Sequence, residues 1–353
     1  MQTDTLIIGG GLSGLSIAAT LAQQDRDFVL VEARDRLGGR ILSTTVQGQA
    51  YDLGPTWFWP GQPRIAALIR GLGLRHFDQF SDGALLYEDQ TGPVQRGPAH
   101  ASMQGSYRLH GGLSSLIRAL ANKVPADAIR LQTAVRALRK TARGVAVTCA
   151  SGQTVTAQRV ILTLPPRLAA ELEATPAFDP SVLHALRDSP TWMAGQAKAV
   201  AVYPRRFWRD TGLSGDAMSR RGPMVEIHDA SPPGDGPGAL FGFIGLPPHL
   251  RSDLPALQDA VHAQFVRLFG PDAAAPITLK IKDWAQDGAT TSGRDLQPLH
   301  AHPRYGLPPA LSGLWDNRLI FGGTECAPQF GGYLEGALEA AENAVAVLQA
   351  ERV

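Results

Sequence analysis

A glycine-rich turn near the N-terminus is the first segment whose residue types and spacing indicate chemistry. Gly9, Gly11 and Gly14, with Ser13 between the last two, form the pattern G-x-G-x-x-G after an apolar run. Glycines in this pattern let a pyrophosphate approach the free N–H groups at the start of the following helix. Glu32 follows Gly14 by 18 residues, the spacing of a carboxylate that binds a ribose diol and disfavours a 2′-phosphate. We predict a dinucleotide site; a glycine turn without a ligand is the alternative.

A lysine within an apolar strand is the second candidate. The stretch from Gln196 to Tyr203 alternates as a strand does, which places Lys198 on the same face as Val200 and Val202. An edge-strand lysine that extends to solvent is one interpretation. A buried ammonium with a lowered pKa is the other, because burial disfavours the charged form.

Several other chemistries have little support. The sequence has no HExxH, P-loop or GxSxG motif, and His300 and His302 have no acidic partner nearby, so we expect no metal site. Cys149 and Cys326 lie far apart, which indicates neither a disulfide scaffold nor a CxxC site and fits a reducing compartment. A formal net charge of +1 makes nucleic acid an unexpected partner. No apolar stretch is long enough for a membrane span, so we predict a cytoplasmic protein.

Both ends of the chain have the pattern of a parallel sheet covered by helices. Strands are predicted at residues 5–8 and 28–31, joined by a helix that starts at Leu12. Further buried strands are predicted at residues 160–164 and 319–321, and a long helix follows Tyr333. The middle has a different pattern, with predicted strands and one helix at residues 198–203, 223–228, 240–246 and 257–269. A second lobe is therefore expected between pieces of the first.

Two further segments direct the interpretation toward a flavin. Residues 32–40 read Glu-Ala-Arg-Asp-Arg-Leu-Gly-Gly-Arg, and residues 52–57 read Asp-Leu-Gly-Pro-Thr-Trp. In these segments the sequence resembles the flavin-containing amine oxidases, the family of monoamine oxidase, polyamine oxidase and L-amino-acid oxidase. The resemblance implies that the first segment binds the adenosine ribose and the diphosphate, and that the second approaches the isoalloxazine ring. A solvated surface cluster is the alternative for Arg34, Arg36 and Arg40.

The resemblance continues to the C-terminus. Gly111 and Gly112 before a predicted helix, and Val135 after it, are similar to family positions, and residues 322–325 with 331–337 are similar to the C-terminal flavin signature. FAD is therefore the implied cofactor. Its expected binding residues are Gly9, Gly11, Ser13, Gly14, Glu32, Ala33, Arg34, Gly39, Arg40, Gly54, Pro55, Thr56, Trp57, Val135, Thr324, Glu325, Gly332, Tyr333 and Leu334.

The resemblance also implies three catalytic residues. Lys198, ten residues before Trp208, corresponds to a lysine that holds a water against flavin N5, Tyr333 to one wall of an aromatic cage, and Trp284 to a tryptophan beside the flavin. An ordinary core aromatic is the alternative for Trp284.

Three departures from the family pattern limit what it implies. Gly293 and Arg294 stand where covalently flavinylated relatives have a Cys-Tyr pair, so the flavin is expected to be non-covalent. The second cage wall is missing unless Trp57, Phe58 or Trp59 supplies it. Only about fifty residues, with a helix-like stretch at 65–72, lie between Trp57 and Gly111. That is too few for the helical roof of full-length relatives at ~1.5 Å of rise per residue. We expect an open pocket, or one covered by a second subunit or a partner protein.

The implied fold is α/β, a Rossmann-like FAD-binding domain of the GR2 flavoprotein type with an inserted mixed α+β substrate domain. The FAD-binding domain is expected at residues 1–80, 106–166 and 286–353, and the substrate domain at 81–105 and 167–285. The implied activity is oxidation of an amine to an imine, with O2 accepting the electrons to give H2O2. A flavin-dependent C–C desaturase and a flavin-binding subunit with little turnover are the alternatives.

Overall fold

The computed structural model describes residues 1–97, 101–297, 299 and 301–350 of the chain. Its strands in chain order are β1 (Gln2–Ile8), β2 (Phe28–Val31), β3 (Ser43–Val46), β4 (Gln49–Asp52), β5 (His76–Asp78), β6 (Ala84–Glu88), β7 (Gln95–Gly97), β8 (Tyr107–Leu109), β9 (Ile129–Arg130), β10 (Val135–Thr141), β11 (Gly144–Cys149), β12 (Thr154–Leu162), β13 (Glu173–Thr175), β14 (Ala197–Tyr203), β15 (Leu213–Ser219), β16 (Met224–Asp229), β17 (Gly238–Ile244), β18 (Thr278–Asp283) and β19 (Leu319–Phe321).

The helices connect these strands and cover the sheets. They are α1 (Leu12–Gln23), α2 (Pro63–Gly71), α3 (Leu113–Ala121), α4 (Pro166–Ala169), α5 (Pro180–Asp188), α6 (Phe207–Asp210), α7 (Leu254–Phe269), α8 (Leu314–Asn317) and α9 (Leu334–Ala350). The short α8 contains residues with left-handed backbone angles.

The first sheet contains the predicted N-terminal crossover. Its order is β13-β10-β11-β12-β1-β2-β9, with β19 beside β12. β1 is parallel to β2 and to β12, and β19 is parallel to β12. The carboxyl ends of these four strands therefore meet at one edge of the sheet, where open α/β sheets bind their ligands.

Alternating residues of β1 and β2 face two separate hydrophobic cores. Ile7 and Leu30 pack with α1, α3 and α9, whereas Leu6 and Val29 pack with α5 on the opposite face. A parallel sheet buried on both faces requires continuous apolar strands, which is the pattern that the sequence shows here.

The second sheet has the order β18-β14-β17-β16-β15-β6-β7 and is mostly antiparallel. One face packs against α7, while the other packs against Tyr51, Leu53 and Trp57. The predicted strands and helix of the middle region are confirmed. The second face bounds the site described below.

The sheet boundaries differ from the expected domain boundaries at one point. β13 pairs with β10 of the first sheet, although residues 173–175 fall in the range expected for the second lobe. The short loops around α4 keep this segment beside the first sheet. No helix in the described ranges is long and apolar enough to cross a membrane.

Candidate active site

The glycine turn lies at the carboxyl edge of the first sheet. Gly9 follows β1, and its N–H donates to the carbonyl of Val31 at 2.9 Å. Thr163 follows β12, and its hydroxyl donates to the carbonyl of Gly9 at 3.0 Å. Glu32 follows β2 at the same edge. The strand order therefore brings together the groups that the sequence predicts for a dinucleotide.

The glycines of this turn have different physical roles. A Cβ on Gly14 would lie 1.9 Å from the carbonyl oxygen of Gly9, so only glycine allows α1 to pack this closely on β1. A Cβ on Gly11 would meet only Gly39, at 4.0 Å, and would project into open space. Within the described structure no side chain caps the start of α1. Gly11 therefore leaves room for a phosphate at the helix N-terminus.

Glu32 is buried and its carboxylate is fixed by backbone donors. Its Oε2 accepts from the N–H of Gly10 at 2.8 Å, and its Oε1 accepts from the N–H of Arg34 at 2.9 Å. Each carboxylate oxygen has two lone pairs, so Glu32 retains capacity for the hydroxyls of a ribose.

The three arginines near this carboxylate have separate partners. Arg36 donates to backbone carbonyls of the turn that includes Gly39, while Arg34 pairs with Asp287. Arg40 pairs with the buried Glu325 at 2.7 Å. Each guanidinium thus has an anionic or carbonyl acceptor, and all three side chains are partly exposed.

Lys198 is buried on the cavity face of β14, so of the two interpretations of the strand pattern the buried ammonium describes its position. Its ammonium donates to the carbonyl of Gly54 at 2.7 Å, and its side chain is 5% exposed. Burial lowers the pKa of Lys198 to about 8, against the opposing charge of Asp52. Burial likewise raises the pKa of Asp52 to about 6. The ammonium can therefore change its protonation state near neutral pH.

A cavity of about 580 Å³ joins the glycine turn to Lys198. Trp284 lies in its wall, with the indole N–H donating to the carbonyl of Leu53 at 2.9 Å. The ammonium of Lys282 lies 4.7 Å from the centre of the Trp284 ring. The predicted site residues that line this cavity are Gly9, Gly11, Ser13, Glu32, Arg34, Gly39, Arg40, Gly54, Pro55, Thr56, Trp57, Lys198, Trp284, Thr324, Gly332, Tyr333 and Leu334.

Four predicted residues do not line this cavity. Gly14 packs against the turn, and Glu325 is buried behind Arg40. Val135 begins β10, and Ala33 lies between the cavity-lining Glu32 and Arg34. Trp208, ten residues after Lys198, is buried in the core under α7, where its indole N–H donates to Asp229.

Tyr333 contacts an aromatic residue that the sequence did not assign to the site. The imidazole of His302 stacks on the Tyr333 ring with centroids 4.8 Å apart and an interplanar angle of 17°. Trp57 and Trp59 line the cavity, whereas Phe58 is buried in the first core. His300, the other histidine of the pair at which we expected no metal site, lies outside the described residues.

Other cavity residues were also missed by sequence reasoning. Met103, Trp192, Glu226 and Phe243 line the cavity beside the predicted residues. Alternation was an available signal for Phe243, which pairs with Lys198. It was not one for Glu226, because a bulge interrupts the alternation of β16. Met103 and Trp192 come from connections without periodic pattern, so the sequence held no such signal for them.

The residues present fit a flavin dinucleotide. Gly11 leaves space at an uncapped helix start, and Glu32 presents a carboxylate to the same cavity. The Thr56 hydroxyl, which lines this cavity, is buried without a protein partner. Unsatisfied buried polar atoms are rare in native proteins and indicate a missing ligand or water.

Comparison with known proteins identifies the family. A sequence profile for flavin containing amine oxidoreductases matches residues 12–104 and 98–349. The chain belongs to this family. It is therefore a flavin-dependent oxidoreductase that acts on amines.

The most similar relatives include amine oxidases of longer chain. AofH of Mycobacterium tuberculosis, named as a flavin-containing monoamine oxidase, is 25% identical, with 98% of this chain and 96% of that protein covered. The alignment spans 457 positions, so many of them are gaps in this 353-residue chain. Putrescine oxidase of Kocuria rosea is 25% identical, with 87% of each chain covered.

Solved structures of amine oxidases share the fold. Cyclohexylamine oxidase of Brevibacterium oxydans superposes with a TM-score of 0.83 at 20% identity, with 100% of each chain covered. Putrescine oxidase bound to putrescine superposes with a TM-score of 0.82 at 19% identity, with 99% of each chain covered. The mixed α/β fold of this chain is thus an amine oxidase fold.

Proposed function

We propose that this chain is an amine oxidase that binds FAD non-covalently and uses O2 as electron acceptor. The observation that carries the proposal is the position of Lys198. Its buried ammonium shares one cavity with the glycine turn and with Trp284 and Tyr333. The dinucleotide motif and the candidate catalytic side chains therefore face the same space.

The proposed FAD site uses the carboxyl edge of the first sheet. The N-terminus of α1 faces the diphosphate, Glu32 accepts from the adenosine ribose, and the segment from Gly54 to Trp57 lies beside the isoalloxazine ring. No cysteine lines the cavity among the residues described, and burial raises the pKa of the Cys326 thiol to about 12. A non-covalent flavin is therefore expected, released unmodified by acid or heat.

We assign the other steps of the reaction to bound FAD and to three side chains of the cavity. Bound FAD would supply the two-electron acceptor for the α-carbon of the amine. Tyr333 and Trp284 would orient the neutral amine, and Lys198 would hold a water molecule at the reacting face. In balance, an amine with O2 and water gives an aldehyde or ketone, ammonia or a smaller amine, and H2O2.

In the proposed domain layout, the first sheet belongs to the FAD-binding domain and the second sheet to the substrate domain. Residues 1–80, 106–166 and 286–353 would form a GR2-type FAD-binding domain, and residues 81–105 and 167–285 the substrate domain. β14, β16 and β17 support this division, because their residues Lys198, Glu226 and Phe243 line the cavity that the glycine turn also lines. β13 and α5 would be an extension that packs on the FAD-binding domain.

The amine end of the cavity is proposed to be open in the monomer or covered by a second molecule. Between Trp57 and Gly111, the described residues form α2 and four short strands. Tyr333 is 37% exposed, and His302 beside it is exposed as well. Sedimentation analysis of the holoprotein tests this proposal. A monomer with an inaccessible flavin would contradict it.

Turnover with a panel of amines is the direct test of the activity. Primary amines, polyamines and amino acids are each mixed with the yellow holoprotein in air, and O2 uptake and H2O2 release are measured. Equal amounts of O2 consumed and H2O2 formed are expected. If the flavin is reduced by an amine but O2 uptake does not follow, another electron acceptor is indicated. No reduction by any amine would favour the desaturase or scaffold alternative.

A further inference from the structure

Two lysines are direct neighbours on the cavity face of the second sheet. Lys282 of β18 pairs with Lys198 of β14, and directly paired residues share a face of the sheet. Like charges in such a pair destabilise the sheet unless another group neutralises one of them. The ammonium of Lys282 has a carboxylate partner, because its Nζ donates to Oδ2 of Asp287 at 2.9 Å. Asp287 therefore neutralises the lysine that neighbours Lys198.

The same ammonium helps to fix Trp284. It lies 4.7 Å from the centre of the indole ring, which is the distance of a cation–π contact. The main-chain N–H of Asp287 also donates to the carbonyl of Trp284 at 3.1 Å. Trp284 is 4% exposed and lines the cavity, whereas Lys282 is not among the lining residues. Asp287 thus acts on a wall of the cavity through a lysine outside it.

The other oxygen of Asp287 binds a residue of the nucleotide site. Its Oδ1 accepts from the guanidinium of Arg34, which also donates to the Thr290 hydroxyl at 2.7 Å. Arg34 lines the cavity beside Glu32, and its Nη1 lies 3.4 Å from Oε1 of that carboxylate. Asp287 and Thr290 therefore hold the guanidinium next to the group assigned to the adenosine ribose.

One carboxylate thus joins two cations that belong to different parts of the cavity. The side chain of Asp287 is 11% exposed. Burial opposes its ionisation, but the hydrogen bonds and charges of Lys282 and Arg34 hold the pKa of Asp287 below its ordinary value. A partly desolvated charge is costly unless an opposite charge pairs with it. Neutralising Asp287 would remove the acceptor that both cations share.

We propose that Asp287 is a positioning residue for the nucleotide and for the amine. Through Arg34 it shapes the ribose site, and through Lys282 it fixes the Trp284 wall against which the amine binds. This inference rests on the proposed function, its nucleotide half on FAD binding alone and its amine half on amine oxidation. The two halves are coupled, because one charge serves both.

The nucleotide half is tested by binding alone. Asp287→Asn removes the charge and keeps the shape of the side chain. Apoprotein is titrated by calorimetry with FAD and, separately, with ADP, which carries the ribose and the diphosphate but no flavin. The variant is expected to bind each nucleotide about tenfold more weakly than wild-type protein, or weaker still. Lys282→Met should bind ADP within about twofold of the wild-type affinity, because its cation–π contact is with Trp284.

The amine half is measured at saturating FAD, so that every protein carries its full complement of flavin. Anaerobic flavin reduction is followed with an amine that reduces wild-type protein. Asp287→Asn and Lys282→Met should each lower the rate constant about threefold or more, because Trp284 loses a contact that fixes it. If the carboxylate acts through the lysine, the double variant should be less than about twofold slower than the slower single variant. Independent structural effects would instead multiply.

A matched control is Asp272→Asn, which removes an exposed carboxylate that pairs with Arg205 and does not line the cavity. It should keep wild-type affinities and rates. The inference is overturned if Asp287→Asn binds FAD and ADP as wild-type protein does, if it reduces its flavin at the wild-type rate, or if the effects of the two substitutions multiply. Should Asp287→Asn fail to fold, a wild-type reduction rate in Lys282→Met overturns it.

The inference and the proposed activity can fail separately. If no amine reduces the flavin of wild-type protein, the oxidase activity and the amine half are refuted together. The titrations with FAD and ADP still decide whether Asp287 positions Arg34 at the nucleotide site. Normal oxidase activity with unchanged behaviour of Asp287→Asn would refute the inference and leave the activity established.

Discussion

The ammonium of Lys198 donates a hydrogen bond to the carbonyl oxygen of Gly54 across 2.7 Å. This bond joins β14 of the second sheet to the segment that leads to Trp57, and it fixes the lysine at the cavity wall. A buried ammonium with a single backbone acceptor retains two further N–H donors. Those donors are available to a water molecule or to a reacting group.

Replacement of Lys198 tests its role in the reaction. Lys198→Met should leave the flavin bound and slow either flavin reduction or its reoxidation at least tenfold, about 1.4 kcal/mol in a barrier. Rapid-mixing measurements of both half-reactions distinguish the two steps. Lys280→Met, an exposed lysine of β18, is the control. Wild-type rates in Lys198→Met would mean that the lysine is structural.

The lowered pKa of Lys198 predicts a pH dependence of reoxidation. A positive charge near the reduced flavin favours electron transfer to O2, because negative charge develops on oxygen. Burial places this pKa at about 8, so the ammonium is lost as the pH rises through that value. The rate constant for reoxidation by O2 should fall between pH 7 and 9. A Lys198→Met profile with the same inflection would assign it to another group.

Gly11 offers a test of the cofactor site that spares the fold. An added Cβ meets no protein atom closer than 4.0 Å, but it projects into the space assigned to the diphosphate. Gly11→Ala should weaken FAD binding at least tenfold, because the phosphate can no longer approach the N-terminus of α1. The change is measured by titrating apoprotein with FAD and recording the thermal unfolding midpoint at each FAD concentration.

Gly71→Ala is the matched control for that substitution. A Cβ at Gly71 has no neighbour within 4 Å and lies at the end of α2. FAD should raise the thermal unfolding midpoint of Gly71→Ala protein as much as it raises that of wild-type protein. Gly11→Ala protein that binds FAD with wild-type affinity would place the diphosphate elsewhere.

Much of the nucleotide site could be predicted from the sequence because it follows from strand order. Gly9 and Glu32 come directly after β1 and β2, and parallel neighbouring strands must bring their carboxyl ends together. Lys198 could be predicted because alternation along a strand fixes the face on which a side chain lies. Local pattern and global fold agree at these positions.

The substrate end could not be predicted because it depends on irregular backbone. The bulge at Val225 interrupts the alternation of β16, so the pattern alone gives the wrong neighbour for Glu226. His302 reaches Tyr333 from an irregular connection, whose path no periodicity specifies.

Anaerobic mixing of the purified holoprotein with amines tests the central claim most directly. The visible absorption of the bound flavin is followed while primary amines, diamines and amino acids are added in the absence of O2. The account predicts that an amine bleaches the flavin and that admission of air restores the colour with formation of H2O2. A flavin that stays oxidised with every amine, in protein that retains its full complement of FAD, would contradict the account.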